Sequence, residues 1–135
     1  INIYDSKFTQ AGAHDWNSTN VAASNGGVAN IYSGEFGSAN YGLYIFNSGA
    51  TINVYGGSFD ANTVLKADKS VTSHDSVINV YGGDFTGKIS IASGAVLNIE
   101  SGTFAESGLT LEQFKAFVAD GSTVTENNGV FTVTK

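Results

Sequence analysis

The chain has 135 residues, enough for one domain with a hydrophobic core and too few for two ordinary domains. Twelve acids and six lysines, with no arginine, give a net charge of −6, which excludes the basic surface of a nucleic-acid-binding protein. The absence of cysteine excludes disulfides and thiolate metal sites. No apolar run approaches the roughly 20 residues of a membrane helix, so we expect no membrane insertion.

One eight-residue block recurs five times, with Asn at its second position and Phe at its eighth. The copies begin at Ile1, Ala29, Ile52, Ile78 and Leu97. Successive Phe residues are 28, 23, 26 and 19 positions apart, so the block is constant while the connections vary in length. A constant segment with variable connections is typical of stacked coils, each of which buries its apolar face against its neighbours.

The block itself predicts a half-buried strand, because apolar residues alternate with Asn and Tyr. In the third copy, Ile52 and Val54 are expected to face the core, while Asn53 and Tyr55 face outward. The small residues that follow allow a tight turn. Beyond this turn, Phe59 is expected to return to the core.

A second strand is predicted after the block in most copies. The predicted segments are Leu43–Phe46, Thr63–Ala67 and Lys88–Ala92. The longest insertions, Thr9–Gly27 and Asp60–Ser76, are expected to form loops at the corners of the coils. The sequence therefore predicts an all-β parallel β-helix, a β-solenoid of about five coils spaced about 4.8 Å apart. Coils of this length match the right-handed form.

The C-terminal part of the chain is predicted to be a helix followed by a hairpin. Thr110 and Gln113 form a capping box that opens a helix over Leu111–Ala119. The apolar face of this helix carries Leu111, Phe114 and Val118. Asn128–Gly129 predicts a hairpin turn, because this dipeptide favours positive φ at both positions. The flanking strands are predicted at Thr123–Thr125 and Val130–Val133.

These elements predict one structural domain with two parts, the coils over residues 1–104 and a C-terminal cap over residues 105–135. The helix and hairpin of the cap are expected to cover the apolar end and the open strand edge of the last coil. At the other end, Ile1 begins a coil directly. We expect this N-terminal end to continue into preceding chain or to stack on another molecule, including a second copy.

The repeated Asn-Ile/Val-Tyr-Gly-Gly-x-Phe coil is followed by a terminal Phe-Val-Ala-Asp-Gly…Asn-Gly-Val-Phe-Thr-Val segment. This combination resembles adhesin-like parallel β-helix repeat domains in large surface proteins of gut-dwelling bacteria, and the resemblance spans nearly the whole chain. It implies a secreted or cell-surface bacterial protein with a structural or interaction role. It supplies no catalytic residue and no cofactor.

Two outward-facing columns are the main candidate for ligand binding, and we call them together the Tyr/Asn strip. The first column contains Tyr4, Tyr32, Tyr55 and Tyr81, with Glu100 in the fifth place, and the second contains Asn2, Asn30, Asn53, Asn79 and Asn98. Aromatic rings and amides suit a glycan or a host surface protein. The predicted ligand-binding residues are Tyr4, Tyr32, Tyr55, Tyr81, Asn30, Asn53 and Asn79, with Trp16 of the first long loop. The alternative is that the columns only stack on themselves.

Other polar residues give weaker candidates. His14–Asp15 and His74–Asp75 occupy different positions in their coils and are expected to be solvated loop residues. Glu35 and Asp84 align two coils apart, at about 9.6 Å, which suits inverting glycoside hydrolysis only loosely. We expect no arginine or aligned lysine beside them.

The sequence thus predicts a non-catalytic module with no metal and no cofactor. The alternatives are a polysaccharide-active β-helix enzyme and a fibre-forming subunit of phage or bacterial origin.

Overall fold

The first halves of the five repeat blocks form one parallel sheet, in which each copy lies beside the copies before and after it. With strands numbered along the chain, this first sheet contains, in spatial order, β1 (Asn2–Ile3), β4 (Val28–Ile31), β6 (Ala50–Val54), β8 (Ser76–Val80) and β10 (Val96–Ile99). The computed structural model describes residues 1–9 and 18–135. It pairs the Asn residues of all five blocks in register.

The chain turns a corner within each block, and the last residues of the block begin a strand of a second sheet. Its strands are β2 (Ser6–Thr9), β3 (Thr19–Ala23), β5 (Gly34–Ile45), β7 (Ser58–Ala67), β9 (Asp84–Ile91), β11 (Gly102–Ala105), β12 (Thr123–Asn127) and β13 (Val130–Thr134). The order is β12-β13-β11-β9-β7-β5-β2, and β3 also pairs with β5. The stacked parallel coils form a β-solenoid of about four turns.

The core lies between the two sheets and follows the predicted alternation. Ile52, Val54 and Phe59 are buried, and Tyr55 is exposed. The five block Phe rings stack in one column with centroids 4.7 to 5.0 Å apart. Phe8, at the N-terminal edge of this column, is 37% exposed. Identical residues in register therefore build the core as a continuous stack.

The second sheet is more extensive than predicted. β5 runs from Gly34 to Ile45 and β7 from Ser58 to Ala67, so both strands begin well before the predicted segments. The insertion Thr9–Gly27 was expected to be a loop, but it contains β3. The reason is burial, since Val21 and Ala23 face the core and pair with the buried Leu43 and Ile45 of β5.

The C-terminal helix is shorter than the predicted Leu111–Ala119. α1 spans Leu111–Lys115 and begins with the predicted capping box of Thr110 and Gln113. It ends early because the next backbone groups bond to β10. The Ile99 amide donates to the Phe117 carbonyl, and the Ala119 amide donates to the Ile99 carbonyl, both at 2.8 Å. A parallel bridge between Ile99 and Val118 results.

The predicted hairpin is present and is attached to the last coil. Asn128 and Gly129 have φ of 51° and 79°, as a tight turn between β12 and β13 requires. β13 pairs antiparallel with β11, which places Phe131 opposite Phe104. The ring of Phe114, fully buried, lies 5.2 Å from that of Phe104 and 4.4 Å from that of Phe131. The Phe column therefore continues into the C-terminal segment.

Candidate functional site

The Tyr/Asn strip lies on the outer face of the first sheet. The strands bring the Asn residues into one column, and each Tyr follows two positions later, just after the strand ends. Backbone bonds anchor the tyrosines, because the Tyr55 amide donates to the Ile31 carbonyl and the Tyr81 amide to the Val54 carbonyl, both at 2.7 Å. The exposures of Tyr4, Tyr32, Tyr55 and Tyr81 are 60%, 37%, 45% and 39%.

The Asn side chains form a hydrogen-bonded ladder that crosses the whole sheet. Each Nδ2 donates to the Oδ1 of the Asn one coil earlier. The bonds run from Asn30 to Asn2, Asn53 to Asn30, Asn79 to Asn53 at 2.9 Å each, and Asn98 to Asn79 at 3.0 Å. In-register stacking places identical amides above one another, so each donor meets an acceptor. The ladder therefore occupies amide groups that a ligand would otherwise contact.

The Tyr rings also stack on one another. Centroids of successive rings lie 4.6, 4.9 and 5.0 Å apart, with interplanar angles of 4°, 7° and 14°. Both faces of Tyr32 and Tyr55 are therefore covered by neighbouring rings. A ligand on the strip can reach ring edges and phenol oxygens, while a ring face free of another Tyr remains only at Tyr4 and Tyr81. The stacking alternative is thus present, and it is compatible with recognition through the edges.

The predicted site residues divide into two groups. The structure brings together the seven predicted Tyr and Asn residues of the strip. Trp16 and the His14–Asp15 pair lie outside the described residues. His74, in the segment between β7 and β8, is exposed.

A second aromatic site, which the sequence reasoning missed, lies on the outer face of the second sheet. It consists of Tyr41, Tyr44, Phe46, Lys66 and Asp68, which we call the aromatic–ion cluster. The Tyr41 and Tyr44 rings are 5.0 Å apart at 66°, and the Tyr44 and Phe46 rings are 4.5 Å apart at 51°. β5 and β7 place Tyr44 beside Lys66 in register. These rings are tilted, in contrast to the parallel rings of the strip.

Charged groups hold the aromatic–ion cluster together. The Tyr44 hydroxyl donates to Asp68 Oδ2 at 2.9 Å, and Lys66 Nζ lies 3.6 Å from Asp68 Oδ1. The Lys66 ammonium also lies 5.2 Å from the Tyr44 ring centroid and 5.9 Å from that of Tyr41, within cation–π range. Burial, together with the hydrogen bond to the Asp68 carboxylate and its charge, raises the pKa of Tyr44 to about 12.

The alternation of residues in the sequence predicts part of this cluster. Tyr44 and Phe46 alternate with the core residues Leu43 and Ile45, which places both aromatic rings on the outer face. The partner positions could not be predicted, because the pairing of β5 with β7 shifts register between Phe36 and Ala39. Counting along the chain therefore does not align Lys66 with its neighbours.

The aligned acids line a shallow groove on the second sheet. Glu35, Ser58 and Asp84 are in register, as predicted, and border a cavity of about 250 Å³ that also includes Asp60 and Thr86. The prediction that no lysine aligns with these acids is wrong. Lys7 pairs with Glu35 in register, and its Nζ lies 3.5 Å from Glu35 Oε2.

Asp84, the second acid of this groove, also accepts a hydrogen bond from the neighbouring coil. The Thr103 hydroxyl donates to Asp84 Oδ1 at 2.5 Å. Within residues 1–9 and 18–135, no group of three or more His, Asp or Glu residues is arranged to hold a metal ion.

A scan against protein-family models, a search of curated proteins and a search of solved structures gave no match to this chain. In the part of the chain that the structure describes, no helix is both long and apolar enough to cross a membrane. Functional assignment therefore depends on the residues and their geometry.

Proposed function

We propose that the chain is a non-catalytic, adhesin-like or structural stalk module of a secreted or cell-surface bacterial protein. In this role it holds the Tyr/Asn strip toward a glycan or a host surface protein. The observation that carries the proposal is the continuous row of four exposed tyrosines, spaced 4.6 to 5.0 Å apart beside a row of amides. Exposed aromatic residues are enriched at interaction surfaces.

The rigidity of the strip supports this role. The Asn side chains are held by their hydrogen-bonded ladder, and the Tyr rings are held by stacking on one another. A ligand that binds an ordered surface does not have to immobilise its side chains, so less conformational entropy is lost on binding. Because ring faces are covered, the phenol hydroxyls are the groups that would contact hydroxyls of a sugar or polar groups of a protein.

The proposal includes a right-handed solenoid of five coils with a C-terminal cap. Right-handed connection is the strong preference of parallel strands joined by a crossover. Two contacts support the cap, because residues 117–119 bond to the last strand of the first sheet and β13 bonds to the last coil strand of the second. The buried ring of Phe114 packs against the rings of Phe104 in the last coil and Phe131 in β13. In the proposed cap, these contacts serve to cover an apolar end and two strand edges.

A glycan array tests the strip directly. The purified protein is compared with two double variants. Tyr55→Phe/Tyr81→Phe keeps the ring stack and removes two hydroxyls. Tyr55→Ala/Tyr81→Ala removes the two rings together with their hydroxyls. We expect the wild type to bind and both double variants to lose binding. Circular dichroism verifies that each variant is folded.

Two results would contradict the proposed role of the strip, and a third would contradict only the role of its phenol hydroxyls. Wild-type binding that survives in both double variants places recognition elsewhere. Binding lost only in the alanine variant shows that the rings act without their hydroxyls. If the wild type binds no glycan, the same variants are tested for adhesion to immobilised host surface protein, and failure there leaves a stalk without this recognition role.

The groove favours a second candidate, a polysaccharide-active enzyme. Its basis is the in-register column of Glu35 and Asp84 beside a cavity of about 250 Å³. Release of reducing sugar from plant and microbial polysaccharides, lost in Glu35→Gln/Asp84→Asn, would establish it. We favour the non-catalytic role because Lys7 and Thr103 engage the two acids as surface partners.

A further inference from the structure

We propose that the aromatic–ion cluster is a binding site for a neutral saccharide. The exposed ring of Phe46 supplies the apolar contact, with Tyr44 and Tyr41 continuing the aromatic surface beside it, and Lys66 and Asp68 supply the hydrogen-bonding groups. The inference rests on the proposed function of the module in glycan recognition and assigns to it a site and a ligand class on the second sheet.

The tilt of the rings leaves aromatic surface in the cluster available to a ligand. In the Tyr/Asn strip, interplanar angles of 4° to 14° mean that each ring covers the face of the next. In the cluster, the angles are 66° and 51°, so the rings do not cover one another in this way. Phe46 is 41% exposed. The face of an aromatic ring is its negative region, and the polarised C–H groups of a sugar ring pack favourably against it.

The polar groups beside the rings can form hydrogen bonds with sugar hydroxyls. Asp68 accepts from the Tyr44 hydroxyl through Oδ2 and pairs with Lys66 through Oδ1, which holds the carboxylate in one orientation. The side chains of Lys66 and Asp68 remain 24% and 30% exposed. The carboxylate keeps unused lone pairs and the ammonium keeps unused protons. Sugar hydroxyls both donate and accept, so they complement these two groups together.

The charge of the cluster selects among ligands. Lys66 and Asp68 cancel, so the cluster has no net charge. The Lys66 ammonium already occupies the cation–π position over Tyr41 and Tyr44, which leaves that position closed to a cationic ligand. An anionic glycan would approach the Asp68 carboxylate on a chain with a net charge of −6. A neutral, hydroxyl-rich ligand with an apolar face fits best.

The surroundings of Phe46 extend the platform. Phe46 lies directly after β5, at a corner of the coil, and Asn47 follows it. The Asn47 carbonyl accepts a hydrogen bond of 2.8 Å from the Val71 amide, which ties the neighbouring insertion to this corner. Val71 is an exposed apolar residue. The insertion between β7 and β8 therefore lies beside the cluster, where it can contact further units of an oligosaccharide.

The test is an array of neutral hexose and pentose oligosaccharides, with sialylated and sulfated glycans printed beside them. Wild type is compared with Phe46→Ala and Asp68→Asn, and with Phe8→Ala, a matched control of the same residue type and similar exposure. We expect binding to at least one neutral oligosaccharide. Phe46→Ala should lower the affinity about tenfold or more, the scale of one lost aromatic contact. Asp68→Asn should also weaken binding, and Phe8→Ala should not.

The outcomes separate this inference from the proposed function. Neutral-glycan binding that persists in Phe46→Ala and Asp68→Asn but is lost in Tyr55→Phe/Tyr81→Phe overturns the inference and leaves the strip as the site. Binding restricted to anionic glycans also overturns it. Failure of the wild type to bind any glycan removes glycan recognition from both. Thermal unfolding of each variant shows whether a loss of binding reflects a loss of fold.

Discussion

Phe131 lies directly opposite Phe104 in an antiparallel pair, although the first belongs to the terminal hairpin and the second to the last repeat block. Phe131 thus occupies the place that the next Phe of a parallel repeat would take. The ring of Phe114 enters from α1 and contacts both rings. The repeat therefore passes into non-repetitive structure without interrupting its aromatic core.

Loss of the Phe114 ring should strongly destabilise the protein. Phe114 is fully buried between the rings of Phe104 and Phe131, so Phe114→Ala leaves a cavity and exposes the end of the Phe column. We expect a loss of about 3–5 kcal/mol in the free energy of unfolding, measured by urea denaturation. Phe8→Ala, at the partly exposed edge of the column, is the control and should cost much less. Equal losses would show that Phe114 does not close the core.

The Asn ladder should contribute measurably to stability at its centre. Asn53 donates to Asn30 and accepts from Asn79, so Asn53→Ala breaks two ladder bonds and leaves two part-buried partners unsatisfied. We expect a cost of about 1–3 kcal/mol in chemical denaturation. Asn2→Ala breaks one bond at an exposed edge and should cost about half as much or less. The prediction is wrong if the two variants unfold at the same denaturant concentration.

Substitution of the corner glycine Gly49 should lower the free energy of unfolding for two separable reasons. Gly49 has φ of 77°, and a Cβ there would overlap the His74 carbonyl of the next coil. Gly121 has φ of 87°, but a Cβ there meets nothing within 4 Å. Gly121→Ala therefore measures the backbone strain alone, about 1–2 kcal/mol. Gly49→Ala should cost about 1–3 kcal/mol more, because the overlap adds to the strain. Thermal or urea unfolding of both variants checks the difference.

Tyr44 should titrate later than an ordinary tyrosine. Its pKa is raised from 10.0 to about 12, first by burial and then by the hydrogen bond to Asp68. The folded state therefore favours the protonated phenol. This contribution to stability is complete below about pH 10 and is lost as the pH rises to about 12.

Difference titration of tyrosinate absorbance isolates this group. Subtracting the titration of Tyr44→Phe from that of the wild type leaves the Tyr44 transition among six tyrosines. Asp68→Asn should lower the pKa of Tyr44 while the effect of burial keeps it above its ordinary value. A Tyr44 transition near pH 10 in the wild type would contradict the described contact.

The repeat made most of the fold predictable. Asn and Phe are always six positions apart, so alignment of the Asn residues in the first sheet also aligns the Phe residues in the second, as the pairs Asn53–Asn79 and Phe59–Phe85 show. In-register stacking of identical side chains is favourable for amides and for rings, which is why the spacing was informative. The outward orientation of Tyr55 followed from the same alternation.

The remaining features depend on contacts that are distant in sequence. The end of α1 at Lys115 is determined by backbone bonds from residues 117–119 to Ile99, and no local propensity encodes them. The aromatic–ion cluster depends on the register shift between Phe36 and Ala39 in the pairing of β5 with β7, which places Lys66 beside Tyr44. The surface location, the glycan or host partner and self-stacking at the N-terminal end stay predictions, because none of them follows from the fold.

The Asn ladder also gives the solenoid a chemical polarity. Every amide donates toward the N-terminal end, so the chain of dipoles presents the Nδ2 donor of Asn2 at one end and the Oδ1 acceptor of Asn98 at the other. Aligned hydrogen bonds polarise one another, which strengthens both ends of the series. Two N-terminal ends brought face to face would oppose donor to donor. Any strand that extends this sheet beyond Asn2 must therefore bring an acceptor to it, and an Asn in the same orientation satisfies that requirement.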